Sequence, residues 1–134
     1  VANRTSKYGF GALTEEERAM WVNPDGSPCV KPGDYLNGLS SAERKNTPMC
    51  TGVLDYFPDA LAAIAQHSKA GNDKHNPGEP LHWAREKSTD HADCIIRHLA
   101  NRGTRDGDGQ RHSVGLAWRA LALLQLEIEE EQRK

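Results

Sequence analysis

At 134 residues the chain has room for one domain with an extension. Hydrophobic residues make up 37% and charged residues 27%, with a mean hydropathy of −0.75. The core is therefore thin for the length, and helices are expected to finish their burial against another copy of the chain. A net charge of −2 excludes the basic field that nucleic acid selects, and no apolar run reaches membrane-spanning length.

Residues 1–50 read as an irregular extension with short helices, poor in aliphatic side chains and broken by Gly and Pro. Thr14-x-x-Glu17 and Ser40-x-x-Glu43 each set a hydroxyl at a helix start and a glutamate three residues on, so that each side chain can bond the other residue's backbone N–H. "NPDGSP" between them is a turn.

Residues 51–134 read as a helical domain. In "LDYFPDALAAIAQHSKAG" Pro58 suits the first turn, Ala60, Leu61, Ile64 and Ala65 share a face, and Gly71 is expected to stop the helix. A polar loop, "NDKHNPGEP", follows. From Pro80 a helix is expected to reach Arg102, with Leu81, Ala84, Ser88, Ala92, Ile95 and Leu99 as one narrow stripe; a shorter helix capped at Ser88 or Thr89 is the alternative. "GTRDGDGQ" turns the chain, without the remaining ligands of a calcium loop. The last helix, "HSVGLAWRALALLQLEIEEEQRK", is apolar nearly all round from Val114 to Leu124, which suits a bundle centre or an oligomer interface. No strand pattern occurs, so the fold class expected is all-α. Cys29, Cys50 and Cys94 are an odd set with no C-x-x-C pair, which implies reduced thiols in a cytoplasm.

Residues 72–99 crowd acids, bases and four of the six histidines together. On the long helix expected there, Glu86, Asp90, Asp93 and Arg97 fall within about 60° of one another. The acids would repel at i, i+3 and i, i+4, and a divalent cation such as Mg²⁺ or Mn²⁺ would remove that penalty. If the helix begins at Ser88 instead, Asp90 and Asp93 simply complement its dipole, and Asp93 pairs with Arg97 on the surface. Lys74, Arg85, Lys87 and Arg97, with Asn72 and Asn76 as neutral donors, are of a kind to meet phosphate oxygens. Trp83 is either a stacking face for a base or a core residue, and one of His91 and His98 is expected to pack with a hydrogen-bond partner. No H-E-x-x-H and no G-x-x-x-x-G-K-[ST] occurs, which argues against a zinc hydrolase or a P-loop enzyme.

The strings "PDAL", "GNDKHNPGEPLHW", Asp90-x-x-Asp93 with "RHL", "DGDGQRH" and "AWRALALLQ" together resemble the MazZ-like dATP/dGTP diphosphohydrolase family of phages and bacteria, relatives of the MazG-like all-α nucleotide pyrophosphohydrolases. The resemblance spans residues 52–129 and implies an oligomeric helical bundle, dimer or tetramer, in the cytoplasm. It would hydrolyse a purine deoxynucleoside triphosphate, dGTP before dATP, to the monophosphate, feeding 2-aminoadenine nucleotide synthesis in a phage-infected host. It also implies Mg²⁺ or Mn²⁺ held by acids on two helices, with Asp90-x-x-Asp93 standing where relatives carry E-x-x-D. The second acidic helix has no counterpart around Asp59, so Glu86, Glu79 or Glu15 to Glu17 would fill the gap. On this basis Glu86, Asp90 and Asp93 are the expected metal-binding and catalytic residues. Lys74, Asn72, Asn76, Trp83, Arg97 and His98 are the expected substrate contacts. The competing expectations are an HD-type phosphohydrolase, disfavoured by the Asp-His order in "TDHAD", and a non-enzymatic helical interaction module.

Overall fold

A computed structural model describes residues 32–133 of the chain. The expected helix at Thr14–Glu17, the "NPDGSP" turn and Cys29 lie outside the described residues. Five α-helices carry the described fold: α1 (Asp34–Asn37), α2 (Ser41–Lys45), α3 (Pro58–His75), α4 (His91–Ala100) and α5 (His112–Arg133). A π-helical turn at Cys50–Leu54 and a 3-10 turn at Arg85–Lys87 complete it. There is no strand among the described residues, only an isolated bridge between Arg105 and Arg111, so the class is all-α. No described helix is long and apolar enough to cross a membrane.

The described residues divide into two compact units, one of residues 48–125 and one of residues 32–47 with 126–133. In the smaller unit, α2 starts as its sequence dictates. The Glu43 backbone N–H donates to Ser40 Oγ at 3.2 Å, and the Ser40 N–H donates to Glu43 Oε2 at 2.7 Å. The end of α5 also belongs here, and its last turns are not uniformly solvated: Glu129 is buried and Ile128 half-buried.

The larger unit holds α3, α4 and the first part of α5. Pro58 occupies the first turn of α3, where its missing N–H costs nothing. The helix then runs through Gly71 to His75, four residues past the expected stop. Its inward side follows Leu61, Ile64, Ser68 and Asn72, and no Cβ at Gly71 would meet a neighbour within 4 Å, so nothing there forces an end.

The long helix expected from Pro80 to Arg102 does not form. Residues 79–90 are a loop with one 3-10 turn, and α4 begins only at His91, with Asp90 at its N-cap and Asp93 in its first turn. The loop is held from α3: the buried Asn72 donates through Nδ2 to the Glu79 carbonyl at 3.2 Å and accepts the His82 N–H at Oδ1, 3.4 Å. A side-chain amide thus supplies bonds that a helix backbone would otherwise make. The stripe drawn on the long helix is displaced as well. The inward side of α4 follows His91, Cys94, Ile95 and His98, while Ala92 and Leu99 are exposed.

The core is thin, as composition implied. Among the described residues the buried hydrophobic ones are Cys94, Val114 and Ala122. Helix α5, expected to be apolar all round, has two faces: Val114 and Ala122 point inward, while Leu121 and Leu124 are half exposed.

Candidate functional site

A cleft of about 440 Å³ opens within the larger unit. Helix α3 contributes His67, Asn72 and Lys74, the loop contributes Asn76, His82, Trp83 and Lys87, the 104–112 turn contributes Asp106, Asp108 and Gln110, and α5 contributes Trp118 and Arg119. Such a volume falls within the roughly 300–1,000 Å³ usual for small-molecule sites.

One wall is aromatic. Trp83 and Trp118 meet edge to face with ring centroids 5.6 Å apart, and the Arg85 guanidinium lies 4.2 Å from the Trp83 ring centroid. Trp83 reaches this position because Asn72 fixes the residues just before it.

Another part of the cleft is charged. Lys74 Nζ donates to Asp108 Oδ2 at 2.6 Å, and both side chains are about 60% exposed. This bond, and the negative field of Asp108, raise Lys74 above the ordinary lysine range. Asp106 organises the turn. Its Oδ1 accepts the N–H groups of Asp108 at 2.9 Å and Gln110 at 3.0 Å, and Gly109, at φ 79°, lets the chain close back on itself. Burial pushes Asp106 up, but these backbone donors, with His112 and His67, together hold it below the usual carboxylate range. Gln110 also faces His67, Oε1 to Nδ1 at 3.3 Å.

Behind the cleft, two histidines of α4 point inward. His91 Nδ1 accepts from Arg119 Nη1 at 3.3 Å, and burial followed by the Arg119 charge lowers its pKa. His98 Nδ1 lies 3.1 Å from His112 Nδ1; burial and then the His112 charge lower it too. Both, not one, are packing histidines with a partner.

Of the residues expected from the sequence, Lys74, Asn72, Asn76 and Trp83 are brought together around the cleft. Asn72 is buried, and its amide is bonded to the loop at Glu79 and His82. Arg97 is exposed and pairs with Asp90, Nη2 to Oδ2 at 3.1 Å, where the short-helix alternative had paired it with Asp93. His98 faces His112. Glu86 sits on the 3-10 turn and Asp90 and Asp93 at the start of α4, so the three do not share one helix face. Asp90 is held below the usual carboxylate range by Arg97 and then by the Cys94 thiol, which donates to Oδ2 at 3.4 Å. Among the described residues no three His, Cys, Asp or Glu side chains converge where a metal ion would sit.

The sequence pointed neither to Trp118, Asp106 and Asp108 nor to Arg119 as parts of a site. A legible sign existed for the last: Arg119 is the one charge inside the apolar run from Val114 to Leu124.

The family model described as dATP/dGTP diphosphohydrolase, N-terminal, matches residues 40–134, more than two thirds of the chain. No curated protein and no solved structure matches it. The matched span contains every side chain of the cleft.

Proposed function

Because the chain belongs to the dATP/dGTP diphosphohydrolase family, we propose that it hydrolyses a purine deoxynucleoside triphosphate, dGTP before dATP, to the monophosphate. The observation that carries this reading is the cleft, where an aromatic pair and three cations line one cavity of nucleotide size. In this reading the purine lies against Trp83 and Trp118, and the phosphate tail runs toward Lys74, Lys87 and Arg119. Water attacks a phosphorus of the tail, and the cations neutralise charge developing on the phosphate oxygens.

The attacking water must lose a proton. Hydrogen bonds to a carboxylate favour its charged form and make it a poorer base. Asp106 is tied to its own turn by two backbone N–H groups, whereas the bond that Asp108 accepts from Lys74 is one that a phosphate tail at Lys74 would draw away, so the role falls to Asp108 in this reading. A divalent ion would arrive as the counter-ion of the triphosphate, as part of the substrate.

The proposal extends to a MazG-like relationship and to self-association as a homo-oligomer, dimer or tetramer. The half-exposed Leu121 and Leu124 of α5, and the exposed Ile96 of α4, support the latter. It also includes a cytoplasmic setting in which dGMP feeds 2-aminoadenine deoxynucleotide synthesis.

The test is turnover of dGTP, dATP, dCTP and dTTP by the purified protein, with products resolved by phosphorus NMR. Purine monophosphate with pyrophosphate, or with stepwise phosphate, is the expected result. Release of intact inorganic triphosphate would assign an HD-type reaction, and neither binding nor turnover would leave an interaction module.

A further inference from the structure

We infer that Arg119 is the principal polyphosphate-binding cation of the cleft, and that His91 and Asp90 are positioning residues that aim it. The inference rests on the proposed nucleotide reading and goes past it by saying which cation grips the tail and what holds that cation in place.

Lys74, one of the cations to which the sequence pointed, is already occupied. Its ammonium sits 2.6 Å from Asp108, so a phosphate must displace a carboxylate before it can bind there. Arg119 is placed differently. Its side chain is 26% exposed against 59% for Lys74, so less of its field is lost to water. Its nearest carboxylate oxygen, Asp90 Oδ1, is 3.9 Å away, and the other oxygen of that carboxylate is bonded to Arg97. Most of the Arg119 charge therefore remains available to an incoming anion.

The contact with His91 explains how the guanidinium is aimed without being neutralised. Nδ1 of His91 accepts from Arg119 Nη1, so the imidazole is neutral and carries its proton on Nε2. That Nε2 is buried and has no hydrogen-bond partner. An unpaired buried donor costs stability that an apolar residue of similar size would avoid. A histidine here is thus accounted for by its other nitrogen. The bond uses one of the five N–H donors of the guanidinium, and the planar fork that remains suits phosphate oxygens in pairs. Trp118 precedes Arg119 on α5, so a base at the aromatic pair and a tail at Arg119 would be served by adjacent residues.

The experiment measures binding of inorganic tripolyphosphate, dGTP and deoxyguanosine by calorimetry, alongside dGTP turnover and a thermal melt. Arg119→Ala should weaken tripolyphosphate and dGTP by about 10- to 100-fold and change deoxyguanosine by less than about twofold. Arg119→Lys should recover only part of the loss, and it serves as the folded variant if the alanine form does not fold. His91→Leu should weaken tripolyphosphate while melting no lower than wild type, and His91→Asn, which keeps an acceptor near the place of Nδ1, should bind more nearly as wild type. Asp90→Asn should weaken tripolyphosphate without changing the Mn²⁺ concentration that half-saturates turnover; a change in that concentration alone would overturn its positioning role. Wild-type failure to bind tripolyphosphate, or tripolyphosphate binding indifferent to Arg119, overturns the inference even where dGTP is hydrolysed. Arg119-dependent tripolyphosphate binding without dGTP hydrolysis leaves the anion site standing and removes the nucleotide-hydrolase reading instead.

Discussion

Replacing Gly115 by alanine tests the packing behind the cleft, because two effects of known size oppose each other there. A Cβ at Gly115 would lie 2.8 Å from Nε2 and 2.9 Å from Cε1 of His98, where ordinary carbon contacts are about 3.5–4.0 Å. The imidazole cannot swing aside cheaply, since its Nδ1 is 3.1 Å from His112 Nδ1. Crowding of this kind costs about 1–3 kcal/mol, and a lost hydrogen bond a further ~0.5–1.5 kcal/mol. Against this, alanine gains about 1 kcal/mol over glycine inside a helix. Gly115→Ala should therefore destabilise by about 2 kcal/mol, lowering the melting temperature of a chain this size by roughly 6–10 °C. The same substitution at Gly71, where nothing lies within 4 Å, should instead stabilise by about 0.5–1 kcal/mol. Urea melts of both variants, and of Gly115→Ala on a His98→Ala background, read the effect directly. Equal shifts at the two glycines, or a cost at Gly115 that survives loss of the His98 ring, would refute the reasoning.

The folded chain prefers neutral His91 and His98, so the unfolded chain binds more protons, and stability should hold above pH 6.5 and fall as the pH drops below it. A melting temperature that rises between about pH 7 and pH 6 would contradict this. Asp108→Asn should cut dGTP turnover at least about tenfold, the typical lower bound for a lost general base being larger still, while Asp93→Asn stays within about twofold. The reverse order would return the chemistry to the start of α4. Mn²⁺ alone should leave the melting temperature almost unmoved, whereas Mn²⁺ with dGTP at about 100 times its dissociation constant should add about 2.7 kcal/mol of stability. A comparable shift with Mn²⁺ alone would show a resident metal site. Light scattering at micromolar concentration should give a dimer or tetramer, and a monomer would remove the role proposed for Leu121, Leu124 and Ile96.

Features that depend on near neighbours along the chain are readable from the residues alone. The capping pair at Ser40 and Glu43, the start of α3 at Pro58 and the all-α class are local matters of hydrogen-bond supply and propensity, and the structure reproduces them. Lys74, Asn76 and Trp83, which crowd one polar stretch of the sequence, line the cleft together. The rest depends on contacts between elements far apart in the chain. Drawing Glu86, Asp90 and Asp93 on one face assumes an unbroken helix, and Asn72 breaks it by bonding Glu79 and His82 from another element. The inward side of α4 turned toward His91 and His98 because their partners, Arg119 and His112, come from a helix that follows in the chain. Asp106, Asp108 and Arg119 joined the cleft in the same way, by long-range contacts that helical periodicity cannot encode, since it records only which residues share a face and not what that face will meet.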